Sequence, residues 1–578
     1  MDTPSSAGSG PQTLLMHSGR VFDGESLDPT ATALLVSEGR VLAVGTDDEL
    51  NDHPLAAQAR RIGLRGGLVT PGFVDAHVHL VMAGVERNAC DLTGASGRGE
   101  VLETIRTFVA DHPVTDESGS EWIVGGGWYK GDFPPGAATA ELLDSITGDR
   151  PAYLINADHH GAWVNTAALQ RAGITAQTQD PADGVIDRAP DGSPIGILHE
   201  GAMDLVGDHL PDHTAEDLAA GLATGVDYLH SLGVTGWQEA ILGDYAGYSD
   251  VSAAYRRGRE DGVVTDSATG ALWVPRTTTV ESVPALVEDF TRRREQNAAA
   301  GFTTRAAKIM VDGVPENRTA AMLEAYCSCE RLTGGATSPG PDGRGLAYLD
   351  RDVLLAVGLA LDAAGFDLHF HAIGDRAVRW ALDTVEAVHA AHPGTAARHH
   401  IAHIQIVHPE DVPRFAAAGA TANLQALWAC NDAQMQELTV PLIGQDRAGW
   451  QYPFRSIHAA GARLCMGSDW PVSTPDPWQA LHVAVNRTYP PTLDAAVGKN
   501  PPLEPDEALD LTTALSAYTA GSAWQLHLDG RGRIEPGAVA DLAVADRNPL
   551  DPDFDPAQIC RTRNVLTLTN GEVVHDDR

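Results

Sequence analysis

Two histidines one residue apart, His77 and His79, close the stretch GLVTPGFVDAHVHL that runs from Gly67 to Leu80. Apolar Leu68, Val69, Phe73, Val74, Ala76 and Val78 surround them and Pro71-Gly72 marks a turn, so the stretch reads as a buried strand. Side chains alternate along a strand, which puts both imidazoles on one face, about 7 Å apart along the backbone. Such a pair can grip one metal ion. Four later residues strengthen that reading: Lys308 in AAKIMVDG, His371 in DLHFHAIGD, His403 in HHIAHIQ and Asp469 in RLCMGSDWP. Each ends an apolar run just before a Gly, Pro or polar break, where a strand hands over to a loop.

Lys308 is notable because lysine is scarce: only Lys130, Lys308 and Lys499 occur, against 37 arginines. It sits in a mainly apolar strand, where a charged ammonium is costly unless paired or neutralised. A buried amine loses its proton more easily, and a neutral lysine can add CO2 to give a carbamate, an anionic ligand that bridges two metals. The plainer alternative is an ion pair with Asp312 or Glu316. The neighbouring ligand candidates favour the metal role.

The elements that must position these groups form a series. Apolar runs at 73–78, 234–240, 272–277, 306–312, 367–371, 401–404, 421–427 and 463–469 alternate with helical stretches such as 214–230, 283–300, 351–364 and 375–391. Eight such units predict an α/β fold, a closed (β/α)8 TIM-like barrel whose site lies at the C-terminal ends of the strands. The candidates end the first, fourth, fifth, sixth and eighth runs. Short strands at both chain ends, the last turning at Asn570-Gly571, predict one small β-sandwich built from both termini.

The expected division is residues 1–68 and 528–578 for the sandwich, 69–89 and 226–500 for the barrel, and 501–527 for a helical return. Residues 90–225 do not fit one connection and are expected to form an insertion over the barrel mouth, a lid or substrate-selecting subdomain. It offers Trp128, Tyr129, His159, His160, Trp163 and Asn165, each a candidate for packing as well as for substrate. His369 shares a face with His371 one step deeper, which suits a supporting or core role. His399 and His400 read as surface or packing residues, and Asp375 and Arg376 as a helix cap or as groups orienting the ligand imidazoles.

Composition bounds the partners. A formal charge of −38 argues against nucleic acid and anionic membrane surfaces, and reads as a strongly solvated acidic surface. Six cysteines without CxxC spacing argue against a disulfide framework or a cysteine zinc site. The polar opening MDTPSSAGSGPQ reads as a flexible start and not a signal peptide, no apolar run is long enough for a membrane helix, and the cytoplasm is the default compartment. A homodimer is the default assembly for a soluble enzyme.

GLVTPGFVDAHVHL, KIMVDG, HAIGDRAV, AHIQIV, GSDWPV, AYTAGSAW and EPGAVADLAV together resemble the amidohydrolase superfamily, and more closely its amidohydrolase family 3 branch, which includes N-substituted formamide deformylases. DHHGAWVNTAAL and GILHEGAM, which contains Glu200, add to the resemblance. It implies that His77, His79 and Asp469 hold one metal, His371 and His403 a second, and carbamylated Lys308 bridges them, with Zn2+ the best-suited ion. The implied activity is hydrolysis of a non-peptide carbon–nitrogen bond in a small-molecule amide, N-formyl or N-acyl, by a metal-activated hydroxide, with Asp469 as general base. Trp128, His160, Trp163, Glu200, Trp428 and Trp470 are the expected substrate contacts. The same centre could serve a lactone, a cyclic imide or a deamination, and a non-catalytic ligand-binding regulator is the alternative of a different class.

Overall fold

The computed structural model describes residues 13–113, 122–134, 136–181, 183–245, 248–265, 267–327 and 341–578. The polar opening stretch before residue 13 and Cys329 lie outside the described residues. Eight parallel strands make one sheet in chain order: β1 Phe73–Val78, β2 Val234–Leu242, β3 Ser267–Trp273, β4 Thr303–Met310, β5 Asp367–Ala372, β6 His400–His403, β7 Thr421–Leu424 and β8 Leu464–Met466. Every residue of β1 and β2 is buried, as strands covered on both faces must be. The sheet closes just past β8, where Asp469 N–H donates to the His77 carbonyl and His79 N–H to the Trp470 carbonyl, both at 2.8 Å. Gly467 permits this seam, since a Cβ there would come within 2.6 Å of the His77 nitrogen. The expected TIM-like barrel is thus the central architecture.

Helices cover its outside, including Leu80–Asn88, Ala215–Ser231, Val283–Ala299, Arg351–Ala363 and Asp375–Ala391. The first two approach backbone to backbone: a Cβ on Gly84 would sit 1.9 Å from the Gly221 carbonyl oxygen. Thr214 and Asp217 form a reciprocal capping box that starts the second of them.

Some bounds differ from the sequence reading. β3 begins at Ser267, not Leu272, because SATG looks like a turn, whereas Gly270 is small to admit Leu242, whose Cδ1 a Cβ would meet at 2.4 Å. β7 ends at Leu424 because Ala426–Trp428 winds into a 3-10 turn, and β8 stops at Met466.

Two sheets make the sandwich. One, of four strands, comes from the N-terminal region alone; the other joins Arg20–Phe22, Leu27–Asp28 and Leu68–Pro71 to Leu542–Ala545, Asn564–Thr569 and Glu572–Asp576. They share a core that includes Leu14, Met16, Leu34, Val36, Val69, Leu542 and Leu566. The division expected at 68/69 falls inside Leu68–Pro71, which pairs with Leu542–Ala545 and so belongs to the sandwich. The one expected at 225/226 falls inside the helix Ala215–Ser231, whose Gly221 contact ties it to the barrel. The insertion builds a six-stranded sheet, from Cys90–Asp91 to Pro194–Glu200, over its own core of Ile123, Trp128, Phe133, Leu154 and Trp163. Among the described residues no helix is long and apolar enough to cross a membrane.

Candidate metal centre at the barrel rim

β1 delivers His77 and leads into His79, while β4, β5 and β6 deliver Lys308, His371 and His403, and the turn after β8 delivers Asp469. All six are buried. His77 Nε2 and His79 Nε2 stand 3.2 and 3.1 Å from one Asp469 oxygen, and ligand atoms of the three all lie within 4.8 Å of one another. Lys308 Nζ is 3.1 Å from His77 Nε2. The His371 and His403 rings are 4.4 Å apart between centroids, and His403 Nδ1 is 3.9 Å from the second Asp469 oxygen. Residues far apart in sequence therefore meet at the C-terminal ends of the strands.

His403 and Asp469 adopt left-handed backbone conformations, φ +75° and +56°, which non-glycine residues rarely hold. Each costs on the order of 1–3 kcal/mol and recurs where a side chain must be aimed. Neither expected acid partners Lys308. Asp312 instead accepts the N–H groups of Ala321, Ile373 and Gly374 at 2.8, 3.0 and 2.8 Å, and Glu316 accepts the Thr439 hydroxyl. Burial brings the Lys308 amine down to about 7, so a large share is unprotonated at neutral pH.

The donor set fits a divalent cation. Burial brings His77 down to about 3 and holds His79, His371 and His403 below the usual imidazole range, leaving neutral rings with free lone pairs. Burial pushes the Asp469 carboxyl up, but His77 and His79 outweigh it and hold the group well below the usual carboxylate range, as an anion. His371 Nε2, both nitrogens of His403 and Asp469 Oδ1 are buried with no hydrogen-bond partner among the described residues. Orphaned buried polar atoms cost about 1–3 kcal/mol each. A cation among neutral imidazoles and a carboxylate relieves that cost.

Of the expected substrate contacts, three lie near the rim. His160 places its ring 5.6 Å from that of His371, and its Nδ1 lies 3.0 Å from each Glu200 oxygen. Glu200 also accepts the Thr319 hydroxyl at 2.8 Å. Trp428 stacks on His403 at 5.1 Å, nearly parallel. Of the other three, Trp128 and Trp163 do not reach it, while Trp470 meets it by its backbone, its carbonyl accepting the His79 N–H. Trp128 and Trp163 pack on each other and on Phe133 in the insertion core, their indole N–H groups donating to the Leu154 and Thr139 carbonyls. The Trp470 ring lies against Tyr228 on the helix Ala215–Ser231. Their aromatic character had marked them, and aromatic rings fill cores at least as readily as sites.

Sequence reasoning also missed partners. His159 Nε2 meets Glu86 at 3.0 Å, and Tyr248 donates to the same carboxylate at 2.9 Å. Arg276 lies 3.7 Å from Glu200 and over the Tyr348 ring. Lys130 bonds Asp158 and Asn317 at 2.9 and 2.7 Å, pinning the insertion to the loop after β4. His399 and His400 are fully buried, with no surface role: the His399 Nδ1 accepts the Leu368 N–H at 3.0 Å. Asp375 accepts the Leu323 N–H at 2.8 Å and touches no ligand candidate.

With a divalent cation held there, such a rim would have the makings of a metal-dependent hydrolase, able to polarise a carbonyl and activate water. The amidohydrolase family model Amidohydro_3 matches residues 60–575, and the chain belongs to that family. It is 29% identical over 545 residues to the protein LONG AFTER FAR-RED 3 of Arabidopsis thaliana, covering 93% of this chain and 88% of that one. It is 28% identical over 556 residues to an N-substituted formamide deformylase of Arthrobacter pascens, covering 93% and 94%. In fold it is similar to a metal-dependent hydrolase from Pyrococcus horikoshii OT3, with a TM-score of 0.68 at 22% identity, covering 93% and 98%.

Proposed function

We propose that this hydrolase cleaves a carbon–nitrogen bond other than a peptide bond, in an N-formyl or other N-acyl amide of a moderately apolar amine. The observation that carries the reading is the convergence of Asp469 with His77 and His79 within 4.8 Å. The 28% identity to a formamide deformylase along nearly its whole length supports the choice of bond. His77, His79 and Asp469 would hold one divalent cation, His371 and His403 a second, and Lys308, as its carbamate, would bridge the two, with Zn2+ the best match. Bound there, the metal supplies Lewis acidity toward the amide carbonyl and lowers the pKa of water.

Asp469 takes one proton from the attacking water as the water oxygen bonds to the carbonyl carbon. The same carboxyl hands that proton to the leaving nitrogen as the carbon–nitrogen bond breaks. The products are the amine and the carboxylic acid, formic acid where the acyl group is formyl. His160, held on its Nδ1 side by Glu200, meets the substrate from the insertion. Trp428 covers one face of His403 against water.

The test combines metal analysis with a panel of N-formyl amines. About two equivalents of divalent metal are expected, with formate release lost in Asp469→Asn. Ammonia released from a heterocycle would replace this reading with deamination, and tight small-molecule binding without turnover would replace it with a regulator.

A further inference from the structure

Beneath the rim the barrel holds two more histidines. His369 lies on β5 two residues before His371, and His400 opens β6; both are fully buried. His369 Nε2 is 2.9 Å from His77 Nδ1, with the rings edge-on at 4.7 Å between centroids. The His400 ring lies 4.0 Å from that of His369. From β7, Asn423 Nδ2 reaches both the Ala76 carbonyl and His400 Nδ1 at 3.1 Å, and Asn423 Oδ1 accepts the Gln425 amide at 3.2 Å. Four strands, β1, β5, β6 and β7, thus contribute to one polar layer across the barrel.

The direction of the hydrogen bonds follows. His77 turns Nε2 toward Asp469 and Lys308, so a metal ligated there takes the Nε2 lone pair and the ring proton resides on Nδ1. That proton points at His369 Nε2, which must accept. His369 then carries its own proton on Nδ1, an atom with no hydrogen-bond partner among the described residues. A buried N–H without an acceptor disfavours folding, whereas an apolar ring at this position would incur no such cost. Packing therefore does not account for a histidine here.

We infer that His369 is a positioning residue, accepting the Nδ1–H of His77 so that the ligand ring is held in the metal-binding tautomer and orientation, with His400 and Asn423 bracing it from behind. The inference rests on the reading of His77 as a ligand, and not on the identity of the substrate. A partner of this kind fixes ring orientation and raises ligand basicity, and losing one weakens metal binding by about 10–100-fold.

The full-length protein, stripped by chelator and reloaded with Zn2+ or Co2+, provides the test. His369→Phe is expected to lose about 10–100-fold in metal affinity by chelator competition and to change the visible Co2+ spectrum. His369→Gln, whose side-chain carbonyl can accept the His77 N–H, is expected to recover most of both. His369→Phe with wild-type affinity and spectrum would overturn the inference while leaving the ligand reading intact. Wild-type protein that binds no divalent metal would remove the ligand reading itself. Neutron diffraction from the Zn2+-loaded wild type needs no variant to fold: deuterium on His77 Nδ1 is expected, and deuterium on His369 Nε2 facing it would refute the assignment.

Discussion

Glu200→Gln probes the charged pair His160–Glu200 within the insertion, whose imidazole faces the rim at His371. The Glu200 side chain is fully buried and within 3.0 Å of His160 Nδ1. Burial pushes its carboxyl up, but the charge and hydrogen bond of His160 outweigh that and bring it from 4.5 to about 2. Burial likewise lowers His160, and Glu200 outweighs it, holding the imidazole above its usual 6.5. The carboxylate's contribution is present above pH 4.5 and lost as pH falls toward 2. That of the imidazole is present below pH 6.5 and lost as pH rises through its raised value. The pair therefore stabilises most between pH 4.5 and 6.5, by about 3 kcal/mol for the carboxylate shift at about 1.4 kcal/mol per unit. Guanidinium unfolding of both proteins, metal chelated in each, should show Glu200→Gln less stable by about 3 kcal/mol at pH 5.5, in line with breaking a buried pair. The gap should narrow by about 2 kcal/mol at pH 3. A gap that stays constant across that interval would refute the charged-pair account.

Glu239 is buried on β2, accepts the Tyr255 hydroxyl at 2.9 Å, and is raised by burial to about 8. The folded chain holds it protonated, so it disfavours folding progressively as pH rises from 4.5 to 8; Glu239→Gln is expected to raise the melting temperature at pH 8 but not at pH 4.5, and equal shifts at both would contradict this. Gly84→Ala drives a methyl into the Gly221 carbonyl and should lower stability by roughly 1–3 kcal/mol or more, read by thermal unfolding. An unchanged melting temperature would mean the two helices separate freely. Trp428→Ala is expected to lower kcat/KM, while Trp163→Ala should cost about 3–5 kcal/mol of stability and leave kcat/KM of the folded enzyme near wild type; the reverse pattern would exchange their roles.

The sequence made the barrel legible because its strands are short apolar runs that end in breaks, and because His77, His79, Lys308, His371, His403 and Asp469 are residue types that seldom end such runs by accident. The helix Asp375–Ala391 was readable to its last residue, its apolar face recurring at the helical period. What stayed hidden is pairing at long range. Glu86 and His159 are 73 residues apart, and His77 and His369 are 292 apart. No local pattern links either pair. Trp128 and Trp163, open to either role in the sequence, take the packing one, since a tryptophan announces burial without saying which core it enters. β3 was displaced because small residues in SATG serve close packing, and in one dimension that is indistinguishable from a turn.

The closing seam of the barrel also governs when the centre comes into being. Ser468 N–H reaches the Asp75 carboxylate across 393 residues of chain, and that contact adjoins the ones that bring Asp469 to His77. A nascent chain emerging from the ribosome holds its first two imidazoles long before their carboxylate exists. Contacts of such sequence separation form slowly and late. The His77, His79 and Asp469 cluster is thereby complete only once the cylinder has shut, when the first and last strands of the barrel have met.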